Sequence, residues 1–225
     1  MPPAGRILLY VPNVIGYVRL LLAVAMVILH CNQRRELAVA AYMSSVLLDF
    51  FDGYLARRLN QCSKFGELLD VFADNVLRTL LLILLVPQLP PRLAAPLCAL
   101  PILLEWACLT CSHAGSFAAT PARAGWKSVT PHQPWLVRAM FANGFKNVVG
   151  GNAIAGLFFF PLLLYVRLNL HLPDLPFAVF GVWLALGRLL CACGEAWIIF
   201  DHLRTVLGKD ANLLLKCGGS PKLVR

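Results

Sequence analysis

Leu47-Leu48-Asp49-Phe50-Phe51-Asp52-Gly53-Tyr54-Leu55-Ala56-Arg57, followed by Gly66-Glu67-Leu68-Leu69-Asp70-Val71-Phe72-Ala73-Asp74, sets four aspartates in apolar sequence. Carboxylates are costly where water is scarce, so four close together require a compensating cation. Asp49, Asp52 and Ala56 fall at i, i+3, i+7, one stripe of one helix. Gly66, Asp70 and Asp74 fall at i, i+4, i+8, one stripe of the next. If the two helices pack antiparallel, the aspartates face each other across a cleft. Hard oxygen ligands in that arrangement suit magnesium or manganese. The plain alternative, helix-end aspartates paired with Arg57, Arg58 and Lys64, accounts for one or two carboxylates and leaves the others uncompensated.

Outside this stretch the composition is that of a membrane protein. The chain has 225 residues, 59% hydrophobic and 14% charged, with a mean hydropathy of +0.71. Six apolar spans of roughly 20 residues fit the hydropathy. They run over 11–30, 37–59, 65–86, 93–111, 146–166 and 175–203, with the aspartates on the second and third. The fold expected is therefore all-α, an integral membrane six-helix bundle. It forms one catalytic domain over 1–225, with a short basic tail from about 205. The first span follows Arg6, carries Arg19 and has no small-residue cleavage pattern after it, so it reads as retained and not as a signal peptide. Pro87, Pro90, Pro91, the stretch 112–134, Pro173 and Pro176 punctuate the spans.

Positive charge sets the expected orientation. The N-terminus, the 57–64 turn, the 112–146 loop and the C-terminal tail hold thirteen Lys and Arg, including Arg123, Lys127, Lys222 and Arg225. The opposite side holds four, Arg34, Arg35, Arg92 and Arg167. Both termini and the aspartates are expected on the cytosolic side, with the net charge of +9 drawing that face to anionic lipid. The scattered basic residues argue against nucleic-acid binding. Of the eight cysteines, Cys108-x2-Cys111 with His113 hints at zinc and Cys191-x-Cys193 at redox chemistry. Each lacks the second half of a metal motif, and packed free thiols are the expected state.

The acidic stretch resembles the signature of the CDP-alcohol phosphatidyltransferases, Asp-x2-Asp-Gly-x2-Ala-Arg-x8-Gly-x3-Asp-x3-Asp. Asp49, Asp52, Gly53, Ala56, Arg57, Gly66, Asp70 and Asp74 match its eight fixed positions at the right spacing. The resemblance implies that Asp49, Asp52, Asp70 and Asp74 surround two divalent ions, Mg2+ or Mn2+, with Asp74 as general base. It implies that Gly53 and Arg57 hold the CDP part of CDP-diacylglycerol. Within the family, 11–19 (Val-Pro-Asn-Val-Ile-Gly-Tyr-Val-Arg), Leu59-Asn60-Gln61 and Phe65-Gly66 resemble the eukaryotic phosphatidylinositol synthases. That adds Ser63 as a further CDP-diacylglycerol contact and myo-inositol as the acceptor. The implied reaction releases CMP. A homodimer in the endoplasmic reticulum is the family's usual setting.

Three departures bear on the acceptor: Cys62 where glycine is frequent, Asn75 where a basic residue is common, and Ala142-Asn143-Gly144-Phe145-Lys146-Asn147 in place of a Ser-Arg-Pro type of run. Lys146 either substitutes for that arginine or snorkels to headgroups. Competing readings are another acceptor or lipid donor on the same fold, a catalytically silent lipid- or partner-binding paralogue, and an ion carrier. The intact acidic set argues against silence. The position of all four aspartates toward one face argues against a carrier. Arg19 is expected at the site, and Arg78 to balance the carboxylates. Arg188 and Glu195 are candidates for a shared interior face, Glu105 and Trp106 mark a bundle-facing or interfacial position, and Asn152 is expected to hydrogen-bond between helices.

Overall fold

The structure is a computed structural model that describes residues 4–117, 132–170 and 174–216. Among the described residues the regular structure is all helical, with the α-helices in the order α1 (Ala4–Leu8), α2 (Val11–Cys31), α3 (Arg35–Arg58), α4 (Lys64–Leu85), α5 (Pro91–Ala94), α6 (Leu100–Phe117), α7 (Trp135–Phe141), α8 (Val148–Asn169) and α9 (Asp174–Lys216). A π-helical turn over Ala95–Ala99 joins α5 to α6 without a break. Pro96 and Pro101 cannot donate to the carbonyls one turn back, and a π turn absorbs that mismatch.

Among the described residues four helical segments are long and apolar enough to cross a membrane: Val11–Cys31, Pro91–His113, Val148–Asn169 and Phe177–Ala211. α3 and α4 are 24 and 22 residues long, which is about 33–36 Å at the usual rise, but the charges of the acidic stretch dilute their apolar content. Their bounds lie within two residues of the sequence expectation. The last helix does not end near Leu203 as expected. It continues to Lys216, because nothing after Leu203 breaks a helix except Gly208. Arg123, Lys127, Lys222 and Arg225, part of the charge asymmetry, lie outside the described residues.

Capping places the ends. α3 stops at Asn60, whose φ of 53° ends the helix in the left-handed conformation that asparagine tolerates. Ser63 then starts α4, its Oγ accepting from Gly66 N at 3.0 Å. Asn147 starts α8 likewise, accepting from Gly150 N at 2.8 Å. α2 packs on α3 and α4, α4 also touches α6 and α8, and α8 lies along α9. Ala23, Met26, Tyr42, Leu77, Leu81, Leu85 and Tyr165 fill the core, and the Tyr42 hydroxyl donates to Phe158 O at 2.8 Å. By contrast Val14, Val18, Leu21, Val24 and Ile28 form the exposed face of α2, an apolar surface suited to lipid.

Gly156 and Gly187 set the α8–α9 crossing. A Cβ at Gly156 would collide with backbone atoms of Leu184, Gly187 and Arg188, and one at Gly187 with the carbonyl of Asn152. Close backbone approach through small residues is the usual solution inside a bilayer. Asn152 does not form the interhelical bond expected of it through its oxygen: Oδ1 is buried against Gly187 with no partner among the described residues.

Candidate active site

Arg19, on α2, stands at the centre of the acidic stretch. Nη1 bonds Asp52 Oδ2 and Asp70 Oδ1, each at 2.7 Å. Nη2 reaches Asp49 Oδ1 at 2.9 Å and also Asp74 Oδ1. The four terminal N–H groups of one guanidinium thus face four carboxylates, and Arg19 is 1% exposed. The helical stripes read from the sequence do converge, but not simply face to face. α2 lies against both motif helices and inserts the guanidinium between their carboxylates. A planar fork with fixed donors suits that position; a lysine ammonium does not.

One guanidinium does not balance four carboxylates. Arg78 approaches Asp74 Oδ2 at 3.6 Å, but it pairs more closely with Glu105, at 2.8 Å. Like charges this close repel unless a further cation is shared. Carboxylate oxygens of Asp49, Asp70 and Asp74 lie within 4.8 Å of one another. Asp49 and Asp70 remain 30% and 44% exposed, so ligand atoms are open to solvent while the guanidinium lies beneath. Oxygen donors, close spacing and uncompensated negative charge together fit a hard divalent ion. Among the described residues this is the only His, Cys, Asp and Glu group close enough to hold a metal, so Cys108, Cys111 and His113 form no such site. The seven described cysteines are free thiols.

Beside the carboxylates opens a cavity of about 450 Å³. Asp52, Gly53, Ala56 and Arg57 of α3 form one wall, Ser63, Gly66 and Asp70 another, and Pro12, Asn13 and Gly16 of α2 a third. Every residue expected to bind the nucleotide therefore lines one space. The Arg57 guanidinium lies over Gly53, 3.6 Å from where a Cβ would stand, and a side chain there would fill the approach to that guanidinium. Ser63 caps α4 with its oxygen, which leaves its hydroxyl proton to donate into the cavity.

Two features of this wall escaped the sequence reading. A Cβ on Gly66 would stand 2.7 Å from Asn13 Oδ1 and 3.1 Å from Ser63 Oγ, so the motif glycine is where α2 and α4 meet. Asn13, 1% exposed, donates to Ile7 O at 2.6 Å, and Gln61 Oε1 accepts from Val11 N at 2.9 Å. These bonds fix the start of α2, and with it Arg19. No local pattern reveals them, since each joins segments distant in sequence or lies in a turn.

Lys146 is exposed on the turn before α8 and does not line this cavity. Arg188 and Glu195 do share an interior face, bonded at 3.1 Å, and Arg188 also pairs with Glu105 at 3.4 Å. Asn75 is buried and joins Arg78 to α6: it accepts from Arg78 Nη2 at 2.6 Å and donates to Glu105 O at 3.2 Å. Trp106 bonds Thr79 Oγ1 at 2.9 Å, again tying α6 to α4.

Known proteins of similar sequence point to one family. The family model for CDP-alcohol phosphatidyltransferases matches residues 9–185. The chain is 34% identical over 144 residues to CDP-diacylglycerol–inositol 3-phosphatidyltransferase 1 of Arabidopsis thaliana, covering 63% of this chain and 60% of that protein. It is 40% identical over 91 residues to the CDP-diacylglycerol–inositol 3-phosphatidyltransferase of Rattus norvegicus, covering 40% and 41%. With the Homo sapiens protein of that name it shares 42% over 74 residues, covering 32% and 34%. The matched part thus spans 60% of the length of the Arabidopsis relative and less of the animal ones. No solved structure matches the chain significantly.

Proposed function

The chain belongs to the CDP-alcohol phosphatidyltransferase family, and from that premise we propose that it transfers the phosphatidyl group of CDP-diacylglycerol to myo-inositol, giving phosphatidylinositol and CMP. The observation that carries this reading is the one cavity that Asp52 and Asp70 share with Gly53, Arg57 and Ser63. The names of the similar proteins support the donor and the acceptor.

Asp49, Asp52, Asp70 and Asp74 would hold the divalent ions, Mg2+ or Mn2+, in a two-ion site. Bound there, such ions neutralise charge on the pyrophosphate and on the departing CMP. Arg57 forks onto phosphate oxygens of the donor, and Gly53 lets the nucleotide lie against α3. Ser63 donates a hydrogen bond to the same substrate. Arg19 holds the carboxylates at fixed spacing from below. Asp74 takes the proton of the attacking inositol hydroxyl. The hydroxyl oxygen bonds to the phosphorus that carries diacylglycerol, the bond from that phosphorus to the CMP oxygen breaks, and CMP leaves with the electron pair.

The same reading has α3 and α4 cross the membrane beside the other four long helices, as a six-helix bundle with one catalytic domain. It places the cavity and both termini on the cytosolic face of the endoplasmic reticulum, with the diacyl tails left in the bilayer, and it allows a homodimer. A second reading keeps the donor and changes the alcohol. The departure over Ala142–Asn147 and the exposed position of Lys146 favour it.

The test supplies membranes containing the protein with CDP-diacylglycerol, Mn2+ or Mg2+, and labelled inositol, glycerol phosphate or serine in parallel. Inositol incorporation with stoichiometric CMP is expected. Robust incorporation of another alcohol without inositol would transfer the assignment to the second reading. No incorporation of any alcohol, with the protein correctly inserted, would reject the enzyme.

A further inference from the structure

From Asp74 a line of buried charges leads across three helices. Arg78 of α4 donates through Nε to Glu105 Oε2 of α6 at 2.8 Å. Glu105 Oε1 accepts from Arg188 Nη2 of α9 at 3.4 Å, and Arg188 Nη1 donates to Glu195 Oε2 at 3.1 Å. All four are less than 9% exposed, and their charges cancel pairwise. None of them belongs to the acidic signature.

The geometry of Arg78 gives this line a direction. Its Nε is taken by Glu105, its Nη2 by Asn75 Oδ1 at 2.6 Å, and its guanidinium lies over the Phe158 ring, 4.6 Å from the centroid. These contacts fix the plane of the fork without help from Asp74. Nη1 is the remaining nitrogen. It is buried without a hydrogen bond, and it stands 3.6 Å from Asp74 Oδ2. That separation gives attraction without a formed bond, so Arg78 is held back from Asp74 by its partners on the other side. Charge attraction in a poorly hydrated interior is strong enough to close such a gap once the restraint is removed.

We infer that Glu105, and through Arg188 also Glu195, are positioning residues for Asp74: they hold Arg78 at a distance that leaves the Asp74 carboxylate grouped with those of Asp49 and Asp70. Glu105 divides the attraction of Arg78. Without its charge, Arg78 moves onto Asp74 and draws the carboxylate away from the ion and the hydroxyl it serves. Glu195 acts at one remove. Its loss leaves Arg188 with Glu105 as sole partner, and Glu105 then holds Arg78 less firmly. This inference rests on the reaction proposed above for its kinetic arm, and on the carboxylate geometry alone for its metal arm.

The experiment compares wild type, Glu105→Gln and Glu195→Gln as purified full-length protein in detergent. Three quantities are read: kcat, KM for CDP-diacylglycerol, and the rise in melting temperature on adding Mn2+ without substrate. Expected for Glu105→Gln are a fall in kcat of about 10–100-fold, the scale of a misplaced catalytic group, a KM within about twofold of wild type, and a reduced Mn2+ shift. Glu195→Gln is expected to move the same quantities the same way by a smaller factor. It decides the matter if Glu105→Gln does not accumulate. A lower basal melting temperature with kcat per folded molecule and Mn2+ shift unchanged would overturn the inference and make the line purely structural. If wild type transfers to no alcohol, the proposed reaction falls and the Mn2+ shift alone decides the positioning role.

Discussion

Arg19 on α2 bonds Asp52 on α3 at 2.7 Å, with both side chains under a tenth exposed and 33 positions apart in sequence. The same guanidinium reaches Asp49, Asp70 and Asp74, so a residue outside the aspartate signature organises all four of its carboxylates. Removing one partner of a buried charge cluster costs more than the pair contributes, because the rest is left uncompensated.

Arg19→Gln is therefore expected to destabilise the protein by about 3–5 kcal/mol in divalent-free buffer, and Mn2+ is expected to recover part of the loss by taking over the neutralising role. Thermal melting of wild type and variant with and without Mn2+ measures both. A variant that melts like wild type under chelation would show that Arg19 is dispensable for holding the carboxylates.

Chelation of divalent ions is expected to abolish transfer reversibly, because carboxylates of Asp49, Asp70 and Asp74 within 4.8 Å repel one another without a shared cation. Asp49→Asn and Asp70→Asn are expected to raise the Mn2+ or Mg2+ concentration for half-maximal activity and to lower turnover together. Activity titrated against free metal checks this, and full activity in excess chelator would contradict it.

Asp74→Asn keeps the shape of the side chain and loses its ability to accept a proton. A fall in kcat of about 10²–10⁴-fold is expected, with much of the binding of CDP-diacylglycerol retained. Arg57→Lys is expected to do the reverse, raising KM for the donor with a smaller effect on kcat, since an ammonium cannot fork onto two oxygens. Initial-rate kinetics on both variants separate the two roles.

Gly66→Ala places a methyl group 2.7 Å from Asn13 Oδ1 and 3.1 Å from Ser63 Oγ. Pushing α2 away from α4 is expected to cost about 1–3 kcal/mol and to raise KM for CDP-diacylglycerol, because both displaced residues line the cavity. Ser63→Ala, which removes only the cap and one donor, is expected to cost about 1 kcal/mol. Melting curves and donor KM for the two variants test whether the glycine acts through packing.

Gly187→Ala is expected to prevent stable accumulation, since its Cβ would collide with the Asn152 backbone across the α8–α9 crossing. Gly181→Ala serves as the control: its nearest neighbour would be the flexible end of Leu163 at 3.8 Å. Folded protein recovered from membranes, compared for the two, is the measurement.

Asp49, Asp52, Gly53, Arg57, Asp70 and Asp74 were legible in the chain, because a helix repeats every 3.6 residues and carboxylates in apolar sequence demand an explanation. The four apolar spans were legible for a related reason: hydropathy is a local sum, and Gly, Pro and Asn mark where it stops. The approximate reach of each helix followed, except for α6, which runs past the expected end at 111 to Phe117, and α9, where sequence beyond Leu203 is able to remain helical with no apolar reason to do so. What no window of sequence contains is partnership across helices. Arg19 could have served phosphate or carboxylate, and only the packing of α2 against α3 and α4 assigned it to all four aspartates. The Arg188–Glu195 pair was half visible as a seven-residue spacing, but its continuation through Glu105 to Arg78 joins residues 83 and 27 positions apart. A charge in a bilayer must find a counter-charge, so the sequence fixes the need; which residue meets that need is decided by the crossing of helices, and that depends on contacts as small as a glycine hydrogen at Gly156 and Gly187.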